Sequence, residues 1–324
     1  MFTIFKRALI VAFIGTVTLV ACTLAAKRST PSPRAAAPTW ENGRRDRTFF
    51  KNAFQEALVG LRPSRLGSNN SASPSGANSE LIQVPQEPSV QDRYPWSGTI
   101  SRQTIEDEIK RTKSELDKIV TTPAKYKGGG FKDGRFHFTV LAMMFGIVTE
   151  YDSDVRWLKS SQIARNRFSR AGKNAKVGSI DAYNEAKQRK DDIDQLLNGE
   201  HLEGKVTNDS QLWNDICDRP PLMQRLEKSE NLGISRWTAS KSEFSKNKDN
   251  LKHEAEIVAA ICEIISQKEF EFTDDDDYLA YCQRLKKAAQ AIIEAVKVDQ
   301  YNSARKAAGQ LNQTCTECHE NYRA

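Results

Sequence analysis

The last ten residues of the 324-residue chain constrain its fold more than any other stretch. They are Cys315-Thr-Glu-Cys318-His319-Glu-Asn-Tyr322-Arg323-Ala. In and before this stretch, apolar side chains recur at steps of three and four, the spacing of one face of an α-helix. These positions are Tyr301, Ala304, Ala308, Leu311, Cys315, Cys318 and Tyr322. Both cysteines therefore lie on the core-facing stripe of a C-terminal helix, and a group bound to them must lie inside a helical bundle.

The pattern Cys-x-x-Cys-His is the attachment signature of a c-type haem. Its two thiols can form thioethers with one porphyrin, and the adjoining imidazole of His319 supplies the proximal iron ligand. The alternatives are a CxxC disulfide and half of a zinc site. A zinc site needs a second ligand pair with metal spacing, and none occurs near Cys217, Cys262 or Cys282. We therefore expect one covalently bound haem c, held by Cys315, Cys318 and His319.

This C-terminal pattern resembles that of cytochrome c′ and the other class II cytochromes c, whose CxxCH helix ends in a Tyr/Phe-Arg pair. The resemblance is specific over residues 207–324 and looser upstream. It implies an all-α fold built as a four-helix bundle around the haem. Arg323 would pair with a haem propionate, because an arginine offers paired N–H donors to a carboxylate. Stabilisation of the helix C-terminus by its charge is a compatible alternative.

The segment Arg219-Pro-Pro-Leu-Met223 resembles the Arg-x-x-x-Met/Leu pattern that opens the first helix of these cytochromes. The resemblance implies that Arg219 approaches a propionate and that Met223 lies over the open face of the iron. Coordination by Met223 would make the iron six-coordinate and suited to electron transfer. If Met223 only packs there, the iron is five-coordinate and can bind NO or CO; a methionine that only fills the core is the plain alternative. His253 is the other candidate sixth ligand, but its position off the core stripe predicts the bundle edge or solvent.

The N-terminus indicates export. Lys6-Arg7 precedes an apolar run from Ala8 to Ala21 that is too short for a confident membrane span. The run ends Leu19-Val20-Ala21-Cys22, which resembles a bacterial lipoprotein box with Cys22 as the lipid-bearing residue; cleavage after Ala25 or Ala26 is the alternative. We expect a signal peptide over 1–22 and a periplasmic, membrane-anchored lipoprotein. The net charge of +6 comes without a dense basic patch, so nucleic-acid binding is not indicated.

The remaining chain divides into three predicted parts. Residues 23–97 form a Pro/Ser-rich tether with too little apolar surface to fold. Within it, Phe49, Phe50 and Phe54 could form a short helix, either on a membrane surface or packed on the body. Residues 98–203 form a haem-free bundle of four helices, with a loop at Gly128–Gly130 and Ser179 as an N-cap. Residues 204–324 form the haem bundle, whose first helix begins at Asp218-Arg219-Pro220-Pro221.

The two halves carry a short internal repeat. Tyr183-Asn-Glu-Ala186-Lys matches Tyr301-Asn-Ser-Ala304-Arg at an offset of 118 residues. The same offset places His201 on His319, without the two cysteines. The first bundle would then be a duplicated cytochrome fold that lost its haem.

Several other residues allow a structural and a functional interpretation. Cys262 and Cys282 could form a disulfide or remain buried thiols, with Cys217 left over. His137 and Met144 are expected in the core of the first bundle. The run Asp274–Asp277 is better explained by capping of a helix start than by calcium binding.

The sequence therefore predicts two tandem antiparallel four-helix bundles, of which only the C-terminal one carries haem. The leading functional prediction is single-electron transfer to periplasmic redox proteins, and the alternative is a gas-binding protein for NO or CO. In a third interpretation, the N-terminal bundle docks the cytochrome onto an envelope complex. Catalysis is not expected, since no nucleophile–base pair appears. The sequence leaves open whether the duplication replaces the homodimer of related single-bundle cytochromes.

Overall fold

The computed structural model describes residues 94–205 and 212–323, which belong to one compact unit. The predicted signal peptide, Cys22, the segment with Phe49, Phe50 and Phe54, and the tether up to residue 93 lie outside the described residues. Within the described ranges the fold is all-α, as predicted, and no strand occurs. No helix of that part of the chain combines the length and apolar character needed to cross a membrane.

The first half contains four long helices, in agreement with the prediction. They are α1 (Arg102–Ile119), α2 (Phe131–Glu150), α3 (Leu158–Asn174) and α4 (Ile180–Leu197), with short helical turns at Trp96–Gly98 and Pro123–Lys125. Ser179 caps α4, because its side chain accepts a hydrogen bond from the backbone N–H of Ala182. The predicted loop at Gly128–Gly130 lies at a kink: the wide turn Tyr126–Gly130 leads into α2, and the backbone of Gly129 is not helical. Gly129 has a φ of 152°, which favours glycine and is common in loops.

Within residues 212–323, five α-helices have six residues or more. They are α5 (Arg219–Lys228), α6 (Lys241–Lys246), α7 (Lys248–Ile265), α8 (Asp276–Lys297) and α9 (Tyr301–Tyr322). Short segments at Trp213–Ile216, Ser229–Ile234 and Ser235–Trp237 complete this half; the last two extend α5. Pro220 and Pro221 lie in the first turn of α5, as predicted. Asp275 caps α8 by accepting a hydrogen bond from the backbone N–H of Asp277, which supports the capping interpretation of the aspartate run.

Two hydrophobic cores meet on α7, which is buried around most of its circumference. One face, with Ile257, Ile261 and Ile264, packs in a first core together with residues of α1 to α4. Another face, with Leu251 and Val258, packs in a second core with α8 and α9. The two halves of the chain therefore share apolar packing across α7. The division into tandem bundles stays a prediction.

The first core also contains Trp96, which the prediction assigned to the tether. Its side chain is 1% exposed and its indole N–H donates to Glu150 over 3.2 Å. The prediction used the average composition of residues 23–97, which is mostly polar, and such an average does not reveal a single buried aromatic residue near its C-terminal end. Folded structure thus extends at least to Tyr94, a few residues before the predicted boundary at residue 98.

A buried charged cluster joins α1, α5 and α7. The guanidinium of Arg225 donates from Nε to Glu108 Oε1 over 2.7 Å, from Nη2 to Glu108 Oε2 over 3.1 Å, and from Nη1 to Glu254 Oε2 over 2.7 Å. Burial alone would raise the pKa of Glu108, but the Arg225 charge and the hydrogen bonds from His253 and Arg225 hold it well below the usual range. We call Glu108, Arg225, Ser229, His253 and Glu254 the arginine cluster.

The prediction that His253 faces the bundle edge or solvent is wrong. His253 is 4% exposed, and its Nε2 lies 2.9 Å from Glu108 Oε2. The periodic apolar residues in the sequence of α7 identified only the face that packs with α8 and α9. Helix α1 of the first half covers the other face, so a polar residue there is buried and has a charged partner.

The two histidines of the first half, His137 and His201, differ in environment. His137 is partly buried on α2 and lies edge-on against the Phe136 ring, whereas His201 is exposed beyond the end of α4. Met144 is fully buried, as predicted. Burial, and after it the charge of Lys228, lowers the pKa of His137 to about 4.

Phe145→Ala tests whether the two halves unfold together. Phe145 is fully buried and its ring packs on Trp157 and Phe168, so truncation should cost about 3–5 kcal/mol of unfolding free energy. Because the core is shared, circular dichroism in urea and hydrogen exchange in α9 should show one common transition at lower urea. Val298→Ala, at a side chain 62% exposed, is the control. Two separate transitions would contradict the shared core.

His137→Gln should flatten the pH dependence of stability. With a folded pKa near 4 against 6.5 for the free side chain, the unfolded chain binds more protons between these values. Wild-type stability should therefore fall as the pH falls from 6.5 to 4, by about 2–3 kcal/mol. The measurement is the urea midpoint from pH 4 to pH 7. An equal slope in wild type and variant would show that His137 contributes nothing.

Candidate haem site

A large cavity of about 940 Å³ opens between α5, α8 and α9. Its volume lies at the upper end of the range for small-molecule sites, roughly 300–1,000 Å³. Its wall combines apolar, sulfur-bearing and cationic side chains. Those used below are Arg219, Met223, Leu226, Glu230, Tyr278, Cys282, Leu285, Asn312, Cys315, Cys318, His319, Tyr322 and Arg323.

Helix α9 contributes the predicted haem-attachment residues to this cavity. Cys315 and Cys318 are partly buried and line it, and the exposed His319 lies at the same wall. Cys318 packs against the first core and Cys315 against the second. Burial raises the pKa of Cys315 to about 12 and also raises that of Cys318. The two thiols are therefore protonated at neutral pH and lie where the two cores meet.

Helix α5 contributes Arg219 and Met223 to the same cavity. Met223 is partly buried and packs on the first core. The Arg219 guanidinium lies 4.8 Å from the Phe272 ring centroid and 5.2 Å from that of Tyr278, and its Nη1 lies 3.3 Å from Glu271 Oε2. The structure thus brings Met223 and His319, which are far apart in sequence, to one cavity.

The end of α9 packs on the start of α8 through aromatic side chains. The ring of Tyr322 lies 5.4 Å from those of Phe272 and Tyr278, and its hydroxyl donates to Asp275 over 2.7 Å. Arg323 follows, exposed, at the cavity wall. The position of the CxxCH turn is therefore determined by contacts with α8 as well as by its own helix.

Glu230 and Tyr278 also belong to the wall, and neither was connected with the site from the sequence. Glu230 is 8% exposed and accepts a hydrogen bond from Asn312 Nδ2 over 2.8 Å; its charge helps to raise the pKa of Cys315. Tyr278 lies on the same α8 stripe as Cys282 and Leu285. The periodic spacing of these three residues could have assigned Tyr278 to the cavity. Glu230 lies in the wide turn Ser229–Ile234, which no periodic pattern in the sequence predicts.

The three other cysteines of the described ranges are buried free thiols. The alternative disulfide between Cys262 and Cys282 is not formed in the structure. Burial raises the pKa of Cys217 and of Cys262 well above the usual value, and it raises that of Cys282 to about 11. Cys217 and Cys282 also line the cavity.

The residues present fit a covalently bound haem. The cavity has sufficient volume, two thiols and an imidazole lie along one wall, and the cations Arg219 and Arg323 can approach propionates. His253 does not line the cavity, and its Nε2 contacts Glu108, so it is not a candidate sixth ligand. Among the residues that the structure describes, no group of three His, Cys, Asp or Glu side chains is arranged to bind a metal ion directly.

Comparison with known protein families gives a match to the C-terminal part of the chain. A family model described as cytochrome C′ matches residues 265–323, which comprise the last residue of α7, helices α8 and α9, and Arg323. Neither curated proteins nor solved structures match the chain. The match supports a cytochrome c′-like C-terminal part, and this family has a covalently bound haem c. It does not extend to α5 or to the first half.

The buried thiols should be unreactive in the folded protein. Their raised pKa values keep Cys217, Cys262 and Cys282 protonated at pH 7.5, and only thiolates react with iodoacetamide. Peptide mass spectrometry should find these three residues unlabelled in buffer and fully labelled in guanidinium. A labelled Cys282 in buffer, or a Cys262–Cys282 disulfide before denaturation, would contradict this arrangement.

Proposed function

We propose that the protein is an exported monohaem c-type cytochrome that transfers single electrons. The proposal rests on one observation: the CxxCH residues of α9 and Met223 of α5 line the same cavity. A haem c in this cavity would supply a one-electron redox couple. The protein side chains would hold it, exclude water and determine its reduction potential.

Three side chains of α9 would hold the group. Cys315 and Cys318 would be bound through thioethers, and His319 would be the proximal ligand. Because α9 packs along α8 and contributes residues to both cores, the helix that carries these residues is held firmly in place. A rigid wall keeps the reorganisation that accompanies electron transfer small.

Met223 would supply the distal ligand in this proposal. Ligation by its thioether together with the imidazole of His319 would raise the reduction potential, which suits an electron carrier. Arg219 and Arg323 would neutralise propionates, because a partly buried carboxylate requires a nearby cation or hydrogen-bond donor.

A gas-binding function is the second candidate. The cavity wall also contains the apolar side chains of Leu226 and Leu285, and an apolar surface suits a diatomic ligand such as NO or CO. In that case Met223 packs on the first core without binding iron. The two candidates differ only in what Met223 does.

The site of action belongs to the same proposal. Lys6-Arg7 with the following apolar run, and Cys22, support export and a lipid anchor. Periplasmic redox proteins would then be the electron donors and acceptors. A docking role of residues 98–203 on an envelope complex is compatible with either candidate.

Covalent haem attachment is tested by variants of the motif. In a host with c-type cytochrome maturation, purified wild type should show haem bands that survive denaturation and gel electrophoresis. Cys315→Ser and Cys318→Ser should lose most of that covalent haem. Cys282→Ser is the matched control, since this thiol lines the same cavity outside the motif, and it should retain the haem. Absence of haem from the wild type would end the cytochrome proposal.

The role of Met223 is tested by the ferrous optical spectrum before and after CO. Coordination predicts sharp low-spin α and β bands that CO does not shift in the wild type. Met223→Ala should then give a broad high-spin spectrum that responds to CO. A wild-type spectrum that is already broad and shifts with CO would reject electron transfer through a Met ligand and favour gas binding.

A further inference from the structure

Helix α5, which presents Arg219 and Met223 to the cavity, is held near both ends by side chains of the first half. At its start, Asp218 Oδ2 accepts a hydrogen bond from Arg135 Nη2 of α2 over 2.7 Å and lies 3.2 Å from Lys176 Nζ. Arg225, two residues after Met223, binds Glu108 of α1 through two hydrogen bonds. The segment between Asp218 and Arg225 is about 10 Å long in an α-helix.

The arginine cluster is an unusual way to stabilise a fold. The side chains of Arg225 and Glu108 are 8% and 6% exposed. Burying such charges carries a desolvation cost that their attraction often only offsets, and apolar residues of similar volume frequently do as well. The clearest gain from a bidentate arginine–carboxylate contact is geometric, because it defines both the distance and the relative orientation of the two side chains. The cluster therefore specifies where α5 lies relative to α1 and α7.

We propose that Glu108 and Arg225 are positioning residues for the distal wall of the haem cavity. The cytochrome C′ family match does not include the first half, and this inference gives that half a defined role. It holds α5, and with it the side chain of Met223, in place at the cavity wall where a haem would bind. The inference rests on the proposed function, since it needs a haem in the cavity.

The pattern of contacts distinguishes positioning from general stability. Arg225 Nη1 also binds Ser229 Oγ over 2.6 Å and Glu254 Oε2 over 2.7 Å. The guanidinium therefore joins a helix of the first half to α7, directly beside the turn of α5 that carries Met223. Loss of the Glu108 charge weakens the contact with the first half and leaves the contact with α7. Helix α5 should then shift or become mobile without loss of the fold.

The experiment compares two variants that each neutralise one buried carboxylate paired with arginine. Glu108→Gln acts in the arginine cluster. Asp192→Asn is the matched control: Asp192 is 7% exposed, and its oxygens lie 2.8 Å from Arg167 Nη1 and 2.6 Å from Arg189 Nε, in the first half and not on α5. Both are prepared as full-length, haem-loaded protein. The measurements are the ferrous spectrum and the association and dissociation rates of CO.

We expect Glu108→Gln to change CO affinity by about fivefold or more, or to convert a low-spin spectrum partly to high-spin, because small displacements of a positioned group have large effects. Asp192→Asn should stay within about twofold of wild type even if it lowers the unfolding midpoint equally. Ser229→Ala, which removes a single hydrogen-bonding partner of Arg225, should change CO binding in the same direction by less.

If Glu108→Gln does not accumulate in folded form, Arg225→Lys decides the question, because it keeps the charge and loses the paired hydrogen bonds to Glu108. Wild-type-like CO binding in whichever of these two variants folds would overturn the inference, as would an equal change in Asp192→Asn. A wild type without haem bands would instead reject the proposed function. The two failures are therefore distinguishable.

Discussion

The rest of the structure depends on helix α7 being apolar on two faces. A helix of this kind must be covered on both sides, because exposed apolar surface is costly in water. Helices α8 and α9 cover one face, and residues of the first half pack with the other in a common core. The first half is therefore a structural partner of the C-terminal helices and shares their packing. Charged groups at this junction, in the arginine cluster, need partners because they too are removed from water.

The candidate site is a consequence of that arrangement. Cys318 packs on the first core and Cys315 on the second, so the attachment residues lie where the two cores meet. Helix α5 contacts both α2 and α7 and forms the facing wall with Arg219 and Met223. The chemistry we propose belongs to residues of the second half. Their relative placement, however, depends on contacts such as Arg225–Glu108 that cross between halves.

Local patterns predicted much of the fold. Periodicity and capping identified α1 to α4 and α7 to α9, and the helix start at Pro220-Pro221, because these signals depend on neighbours in sequence. The same patterns failed for His253 and for Trp96. In the case of His253, the stripe of one helix shows which face is apolar and cannot show that a second helix covers the opposite face.

The sequence by itself determined the composition of the site: two thiols and an imidazole at the spacing of a haem-attachment motif, on the core face of a terminal helix. That much follows from covalent chemistry and from the 3.6-residue period of a helix. Only the tertiary structure decided that Met223 faces the same cavity, that Cys262 and Cys282 are buried free thiols, and that Glu108 lies against Arg225. Those residues are separated by long stretches of chain, and their proximity results from how helices pack, which no local periodicity encodes.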